Sequence, residues 1–185
     1  MAGKAPLSSR DIQERVRAQV SRQEYGAKSQ IDGVLFLPLP TFAEDGGTFS
    51  ELGRLDCGAI AGLADFEVRQ VNCSSMAAGA IKAWHLHFNQ EDLWFVPPSQ
   101  ALLVGLWDVR EGSATSGNTM RFVLGRGRSQ LLYIPRGVAH GAANLGTDDV
   151  FLFYFVNQQF DAKDPDERRL PYDALGEDFW EIQPG

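Results

Sequence analysis

The chain contains three histidines, and their spacing indicates a shared site. His85 and His87 are separated by one residue within a short apolar run that predicts a β-strand. Side chains two residues apart along a strand point to the same face, so the two imidazoles share one face, while Trp84 and Leu86 occupy the other. His140 lies at the end of a second apolar run that also predicts a strand. Imidazole, with an ordinary pKa of about 6.5, serves either as a general base or as a metal ligand, and the pattern leaves both chemistries open.

Two sequence patterns surround these histidines. The first, G-x5-H-x-H-x3-E, places Glu91 four residues after His87, and the second, P-x-G-x2-H-x3-N, surrounds His140. Both resemble the signature motifs of the cupin superfamily, in which three histidines and a glutamate often bind a divalent metal. The resemblance implies a site for Fe, Mn, Ni, Cu or Zn built from His85, His87, Glu91 and His140, since imidazole and carboxylate together favour these ions.

The elements that must position these residues are short apolar runs separated by turn sequences such as Glu44-Asp45-Gly46-Gly47. Runs that predict strands are Val34–Leu39, Phe66–Asn72, Ala80–His87, Leu93–Val96, Ala101–Val109, Met120–Leu124, Leu131–Ile134 and Val150–Val156. About eight strands without helical periodicity between them predict an all-β fold, the jelly roll or double-stranded β-helix of the cupins.

The first thirty residues differ from the rest. Ser8 and Asp11 form a variant of the capping box, and Ile12, Val16 and Val20 recur every fourth residue as on one face of a helix. We therefore predict a short N-terminal helix within a helical extension over residues 1–30, followed by a cupin domain over residues 31–185.

Composition and charge exclude several classes of function. The 185 residues suffice for one domain, and their net charge of −7 disfavours nucleic acid and anionic membranes as partners. The longest apolar run, residues 150–156, is far shorter than the ~20 residues that span a bilayer, and the N-terminal region has no secretory signal. The two cysteines form no CxxC motif. We predict a cytoplasmic protein that binds a small molecule, and neither nucleic acid nor a membrane.

A longer stretch, from about Ile31 to Trp180, resembles the dTDP-4-dehydrorhamnose 3,5-epimerase family. The blocks that carry the resemblance are DGGTFSE at 45–51, QVN at 70–72, KAWH at 82–85, IPRGVAHG at 134–141 and FY at 153–154. Enzymes of that family are dimeric and metal-free, and they invert carbons next to the C4 ketone of a dTDP-4-keto-6-deoxyhexose. The resemblance implies a homodimer without a cofactor whose substrate is a nucleotide-linked keto sugar.

The resemblance also implies roles for individual residues. His85 takes the position of the base, Tyr154 that of the opposing acid, and Lys82 that of a cation that holds an enolate or a phosphate. The residues implied to line the substrate pocket are Glu51, Gln70, Asn72 and His140. Because Lys82 lies three residues before His85, a regular strand places the two on opposite faces, and only a bulge or bend brings them together.

Four departures from the family pattern concern the pocket. Gly46 replaces an arginine that serves the nucleotide phosphates, Asp92 stands near the position of a lysine, and His87 replaces a glutamine. The family's carboxylate partner of the base histidine lies beyond the position of Trp180, and no aspartate follows it here. Two alternatives to the epimerase therefore stay open, which are a metal-dependent cupin dioxygenase, isomerase or lyase, and a non-catalytic module that binds a small molecule.

Overall fold

The computed structural model describes residues 5–22 and 29–183, which form short helical turns and fifteen β-strands. The helical elements are a 3-10 turn at Ser9–Asp11, the α-helix α1 at Glu14–Arg17 and a second 3-10 turn at Glu177–Trp180. The strands are β1 (Leu35–Pro38), β2 (Thr41–Glu44), β3 (Gly47–Ser50), β4 (Leu55–Asp56), β5 (Ala59–Ile60), β6 (Leu63–Glu67), β7 (Gln70–Met76), β8 (Ile81–Leu86), β9 (Asp92–Phe95), β10 (Ala101–Asp108), β11 (Thr119–Gly125), β12 (Gln130–Ile134), β13 (Val138–Ala143), β14 (Val150–Val156) and β15 (Arg168–Arg169).

Two five-stranded antiparallel sheets form the body of the fold. The first sheet has the strand order β1-β12-β9-β14-β7, and the second has the order β11-β10-β13-β8-β15. Their inner faces bury one continuous apolar core that includes Trp94, Leu106 and Leu132. Burial of apolar surface between two sheets is the main stabilising contribution in such a sandwich. The all-β prediction is therefore confirmed.

The outer face of each sheet is also covered. On the first sheet, Phe66 and its neighbours from β5 and β6 pack against Leu93, Phe95 and Leu131. On the second sheet, Trp180 packs on Trp84, with ring centroids 4.8 Å apart. The segment after β14 therefore returns across the second sheet, and this return brings distant residues to the strand that carries two of the histidines.

Most predicted strands are present, and three differences stand out. The run 66–72 is divided between β6 and β7, which belong to different sheets, because the chain leaves one sheet at Val68 and Arg69. His140 lies inside a strand, β13, rather than at the end of one. The predicted turn at 44–47 is flanked by two strands that the apolar runs do not predict, β2 and β3, which form a hairpin in which Phe42 and Phe49 pair.

The N-terminal helix is shorter than the apolar stripe predicts. The backbone N–H and the hydroxyl of Ser8 both donate to the Asp11 carboxylate, at 2.7 and 2.8 Å, so the cap is present. Helix α1 nevertheless ends at Arg17, before the last residue of the stripe. The first glycine after the stripe, Gly26, is where the sequence predicts the helix to stop, and it lies outside the described residues. Val20 is exposed, and an isolated helix of this length gains little stability without an apolar face to bury.

The domain boundary at residue 30 stays a prediction. In the described ranges, we find no helix of the length and hydropathy that a membrane span requires.

Candidate active site

A cavity of about 370 Å³ lies between the two sheets and contains all three histidines. Its walls come from β7, β9 and β14 of the first sheet and from β8 and β13 of the second. Phe160, Glu167 and Arg169, from the segment after β14, complete the wall.

The alternation of β8 places its histidines as the sequence predicts. His85 and His87 line the cavity, whereas Trp84 and Leu86 belong to the outer core of the second sheet. His140 pairs with His85 across the strands, and the two rings lie nearly parallel with centroids 5.9 Å apart. The three imidazoles therefore form one group.

A bulge in β8 brings Lys82 to the same cavity. His85 pairs with His140 and Lys82 pairs with Ala142, so three steps on β8 oppose two steps on β13. The extra residue reverses the alternation, which is how a bulge moves a side chain to the opposite face. The ammonium group of Lys82 donates to the hydroxyl of Ser74 at 2.7 Å and to the carbonyl of Ser75 at 3.1 Å.

His85 has a carboxylate partner that the sequence analysis missed. Its Nδ1 lies 2.8 Å from an oxygen of Glu167, and its Nε2 lies 2.9 Å from a guanidinium nitrogen of Arg169. A guanidinium only donates hydrogen bonds, so Nε2 is the acceptor and Nδ1 carries the proton toward Glu167. Burial raises the pKa of Glu167, but the hydrogen bond from His85 and the charges nearby outweigh it and hold that pKa below its usual value. No aspartate follows Trp180, and a carboxylate that precedes it, that of Glu167, pairs with His85 instead.

Asp166 fixes the segment that brings Glu167 to the cavity. Its carboxylate accepts the backbone N–H groups of Phe88, Asn89 and Gln90, at 3.0, 2.7 and 2.7 Å. Burial raises the pKa of Asp166, yet these three donors together lower it below its ordinary value. The next two residues form β15, which pairs with β8. Glu167 is therefore held in position by contacts of the residues before and after it in the chain.

A second cluster, made of His87, Asp92 and His140, lies deeper in the cavity. One ligand atom from each side chain can be chosen so that all three lie within 4.8 Å of one another. The His140 Nε2 is 3.7 Å from an oxygen of Asp92. Asp92 accepts hydrogen bonds from the Gln90 amide at 2.8 Å and from the Trp94 indole at 2.9 Å. Burial lowers the pKa of His140 to about 4, against the opposing effect of Asp92.

Glu91 does not join the histidines, so the predicted four-residue metal set is not assembled. Alternation along β9 turns Asp92 and Trp94 inward and leaves Glu91 on the opposite side of the strand. There the Glu91 carboxylate accepts a weak hydrogen bond from the Asn157 amide at 3.4 Å and raises the pKa of Tyr133, whose largest shift comes from burial. The carboxylate of the inner cluster is therefore that of Asp92, one residue further along the chain.

Tyr154 faces the cavity from the first sheet, whereas His85 faces it from the second. Burial raises the pKa of the Tyr154 phenol, and the negative charges of Asp92 and Glu167 raise it further. Asn72 pairs with Tyr154 on the adjacent strand and accepts a hydrogen bond from the Gln70 amide at 2.8 Å. Gln70 in turn accepts the backbone N–H of Phe160, which lines the cavity.

Of the predicted pocket residues, His140 lines the cavity, whereas Gln70, Asn72 and Glu51 do not. Glu51 follows β3 and forms an ion pair with Arg54 at 3.0 Å, away from the cavity of its own chain. The substrate-binding roles of Glu51, Gln70 and Asn72 therefore stay predictions.

Comparison with known proteins shows which family this chain and its fold resemble. A family model described as dTDP-4-dehydrorhamnose 3,5-epimerase matches residues 28–176. The chain belongs to this family. The spore coat polysaccharide biosynthesis protein SpsL of Bacillus subtilis (strain 168) is 39% identical over 143 residues, which cover 77% of this chain and 91% of SpsL.

Solved structures agree with the assignment. A dTDP sugar isomerase from Desulfovibrio desulfuricans G20 is 26% identical with a TM-score of 0.69, covering 83% of this chain and 91% of that one. A dTDP-4-dehydrorhamnose 3,5-epimerase from Sulfolobus tokodaii is 25% identical with a TM-score of 0.66, covering 87% and 85%. The predictions of a cupin jelly roll and of a sugar-nucleotide epimerase, an enzyme of the isomerase class, are thereby confirmed.

Proposed function

We propose that the protein epimerises a dTDP-linked 4-keto-6-deoxyhexose by acid–base chemistry between His85 and Tyr154. The observation that carries this proposal is the His85–Glu167 hydrogen bond of 2.8 Å. It directs the proton of the imidazole to Nδ1 and leaves the lone pair of Nε2 for a substrate. Tyr154 stands on the opposing sheet, and inversion of a carbon requires that a proton leave from one face and return to the other.

The steps follow from these positions. His85 Nε2 removes the proton from the carbon next to the ketone, and the electron pair of that C–H bond moves to the ketone oxygen as an enolate. Lys82 contributes positive charge to the same cavity, where charge that develops in the transition state is stabilised. The Tyr154 hydroxyl then gives its proton to the other face of the carbon. Exchange with solvent returns the phenolate and the imidazolium to their starting states.

Arg169 must move before His85 can act, because its guanidinium occupies the lone pair of Nε2. The Arg169 side chain is 57% exposed, so water can replace its contacts when it turns away. A diphosphate is a suitable alternative partner for a guanidinium, since the two groups form charge-assisted hydrogen bonds. Binding of the nucleotide portion would thereby release the base.

Solvent deuterium exchange tests the roles of the two residues separately. The untagged enzyme and variants are incubated with dTDP-4-keto-6-deoxyglucose in D₂O, and uptake and inversion are followed by NMR. We expect His85→Asn to lower the rate of deuterium uptake by roughly 10²–10⁴-fold. We expect Tyr154→Phe to keep uptake from the His85 side and to lose most of the inversion.

Glu91→Gln is the matched control, because Glu91 lies on the outer side of β9, and its uptake and inversion should equal those of the wild type. Unchanged deuterium uptake in His85→Asn would exclude His85 as the base. Equal loss of uptake and inversion in Tyr154→Phe would contradict the separate role of the acid.

A further inference from the structure

We propose that Asp92 and His140 bind two adjacent hydroxyl groups of the sugar, those at C2 and C3, and so restrict the enzyme to keto sugars that retain both. The inference deepens the proposed function and rests on it, because it names the substrate class of the same cavity. Neither residue is the base or the acid of the reaction, and their contribution is to specificity.

The imidazole of His140 presents a hydrogen-bond acceptor to the cavity. Its Nδ1 lies 3.0 Å from the carbonyl of Val138, and a carbonyl only accepts, so Nδ1 carries the proton. Burial lowers the pKa of His140 to about 4, so the ring is neutral near pH 7 and Nε2 keeps its lone pair. Among the hydrogen bonds within residues 5–22 and 29–183, none reaches this nitrogen. Because His140 is 3% exposed, the partner of Nε2 must be a molecule that enters the cavity.

The carboxylate of Asp92 presents a second acceptor, with Oδ2 3.7 Å from the His140 Nε2. Its oxygens accept one hydrogen bond each, from the Gln90 amide at 2.8 Å and from the Trp94 indole at 2.9 Å. An ionised carboxylate has about four lone-pair sites, so half of this capacity is unused. Asp92 is 4% exposed, and no lysine or arginine of the described residues forms an ion pair with it. A buried carboxylate needs hydrogen bonds to offset its desolvation, and a ligand can supply more of them.

The nearest polar side chains, Gln90 and His87, have no further proton to give these acceptors. The Gln90 amide directs its two N–H groups to Asp92 and, at 3.3 Å, to Nε2 of His87. The Nδ1 of His87 contacts the carbonyl of Asp166 and therefore carries the only proton of that ring. This end of the cavity thus presents acceptors, and a ligand that fits it must bring donors.

Two hydroxyls on adjacent carbons suit this pair of acceptors. A hydroxyl donates one proton, so two acceptors require two hydroxyls. Hydroxyls on neighbouring ring carbons stand side by side in staggered positions, which suits acceptors 3.7 Å apart. A 4-keto-6-deoxyhexose carries such a pair at C2 and C3. Its C4 ketone only accepts hydrogen bonds, so it is repelled by the same acceptors and points elsewhere.

The distribution of charge along the cavity gives the sugar the same orientation. Lys82 and Arg169 line the cavity as exposed cations, and exposed cations attract the diphosphate on C1. Asp92 and His140 line it as buried residues, so the ring and its hydroxyls extend inward to them. Asp92 also stands near the position at which the family has a lysine. The chain therefore has an acceptor where the family pattern has a donor.

Deoxy analogues test the hydroxyl contacts directly. The untagged enzyme is incubated in D₂O with dTDP-4-keto-6-deoxyglucose or with its 2-deoxy or 3-deoxy analogue, and kcat/KM for deuterium uptake next to the ketone is measured by NMR. We expect each analogue to have a kcat/KM roughly 10–100-fold below that of the parent, because a buried acceptor is left unpaired. An analogue that is processed as well as the parent would overturn the proposal.

Two variants separate recognition from the intrinsic reactivity of the analogues. Asp92→Leu and His140→Phe keep the approximate shape of each side chain and remove its acceptor. Each should abolish the discrimination against one analogue, and the two variants should differ in which one. Glu91→Gln is the control and should discriminate as the wild type does, and thermal melts verify that each variant is folded. Discrimination that persists in both variants, or that disappears for the same analogue in both, would contradict the assignment of the two acceptors.

Failure of the proposed function has a different signature. In that case the wild type would take up no deuterium into the parent sugar, while calorimetry would still detect weaker binding of the 2-deoxy and 3-deoxy sugars than of the parent. Equal affinities for the three sugars would refute the hydroxyl contacts whatever the exchange rates are.

Discussion

Glu167 determines which nitrogen of His85 carries the proton. Its carboxylate accepts a hydrogen bond from Nδ1 at 2.8 Å, and the same oxygen lies 2.7 Å from the Arg169 guanidinium. A neutral imidazole has one donor and one acceptor nitrogen, so removing this acceptor lets the ring adopt the other tautomer, in which Nε2 carries a proton and is unable to act as a base.

Substitution of Glu167 is therefore expected to affect kcat more than KM. In Glu167→Gln, kcat should fall by roughly 100-fold, at the lower end of the range for acid–base catalysis, and Glu167→Asp should restore part of the loss. Steady-state kinetics on dTDP-4-keto-6-deoxyglucose give both parameters. A Glu167→Gln enzyme with unchanged kcat would show that the dyad has no function in the reaction.

The same substitution has a consequence for pH. The pKa of Glu167 is lowered in the folded protein, so its bond to His85 stabilises the fold above the ordinary value of 4.5 and the stabilisation disappears as the pH falls through the folded-state pKa. The difference in Tm between wild type and Glu167→Gln should be largest near neutrality and shrink below about pH 4. A difference that grows on acidification would contradict the assignment.

For individual residues, the sequence predicts which neighbours along a strand share a face, but it does not predict contacts between residues that are far apart in the chain. The side-chain alternation of a strand suffices to place His85 and His87 together. The choice between Glu91 and Asp92 depends on where β9 begins, and a shift of one residue turns the whole strand over. The pairing of His85 with Glu167 bridges 82 positions without a recognisable motif. The only sign of this partner in the sequence is that residues 161–185 are rich in charged side chains.

The bulge in β8 is the element that brings Lys82 and His85 to the same cavity. It requires close contact with β13, because a Cβ added to Gly141 would lie 2.5 Å from the Cβ of Ala83 and 2.9 Å from its Cα. Glycine at this position therefore lets the bulged strand approach. The sequence predicts that some bulge is needed to bring Lys82 and His85 together, but its exact geometry comes from strand pairing.

Gly141→Ala should consequently push the two strands apart. We expect a loss of about 1–3 kcal/mol in the free energy of unfolding, as for overpacking of a core, together with a lower kcat because Lys82 and His85 move. Denaturation in urea and steady-state kinetics measure the two effects. Gly112→Ala is the control, since a Cβ there meets nothing within 4 Å. Equal stability of the two variants would show that β8 and β13 adapt without strain.

At the scale of the whole molecule, the homodimer that the family resemblance implies stays a prediction. The β2–β3 hairpin offers a surface for it, because Phe42 and Phe49 stack with ring centroids 6.3 Å apart while each remains more than half exposed. Exposed aromatic pairs of this kind are typical of protein interfaces.

Light scattering tests the prediction directly. The wild type should have twice the chain mass of 20.4 kDa, and Phe42→Asp should shift the protein toward the monomer because a buried charge disfavours association. The control is Phe88→Asp, which places the same charge on another exposed aromatic outside the hairpin. A monomeric wild type would refute the homodimer, and a dimeric Phe42→Asp would exclude the hairpin as its interface.

The fold as a whole was predictable because its strands are encoded locally, by apolar runs and turn sequences. The N-terminal stripe of Ile12, Val16 and Val20 shows the limit of that reasoning, since periodicity predicts a helix only where something buries its apolar face. The position of the segment after β14 depends on Asp166 and Trp180, whose partners lie far away in the chain.

That late segment also sets an order of events during synthesis. A ribosome releases His85 well before Glu167, and both β8 and β14 precede the segment that carries the carboxylate. A growing chain therefore contains His85 before it contains the residues that complete the cavity wall and pair with the imidazole. The proton of the imidazole is directed to Nδ1 only once this segment has been made and Asp166 binds the loop after β8.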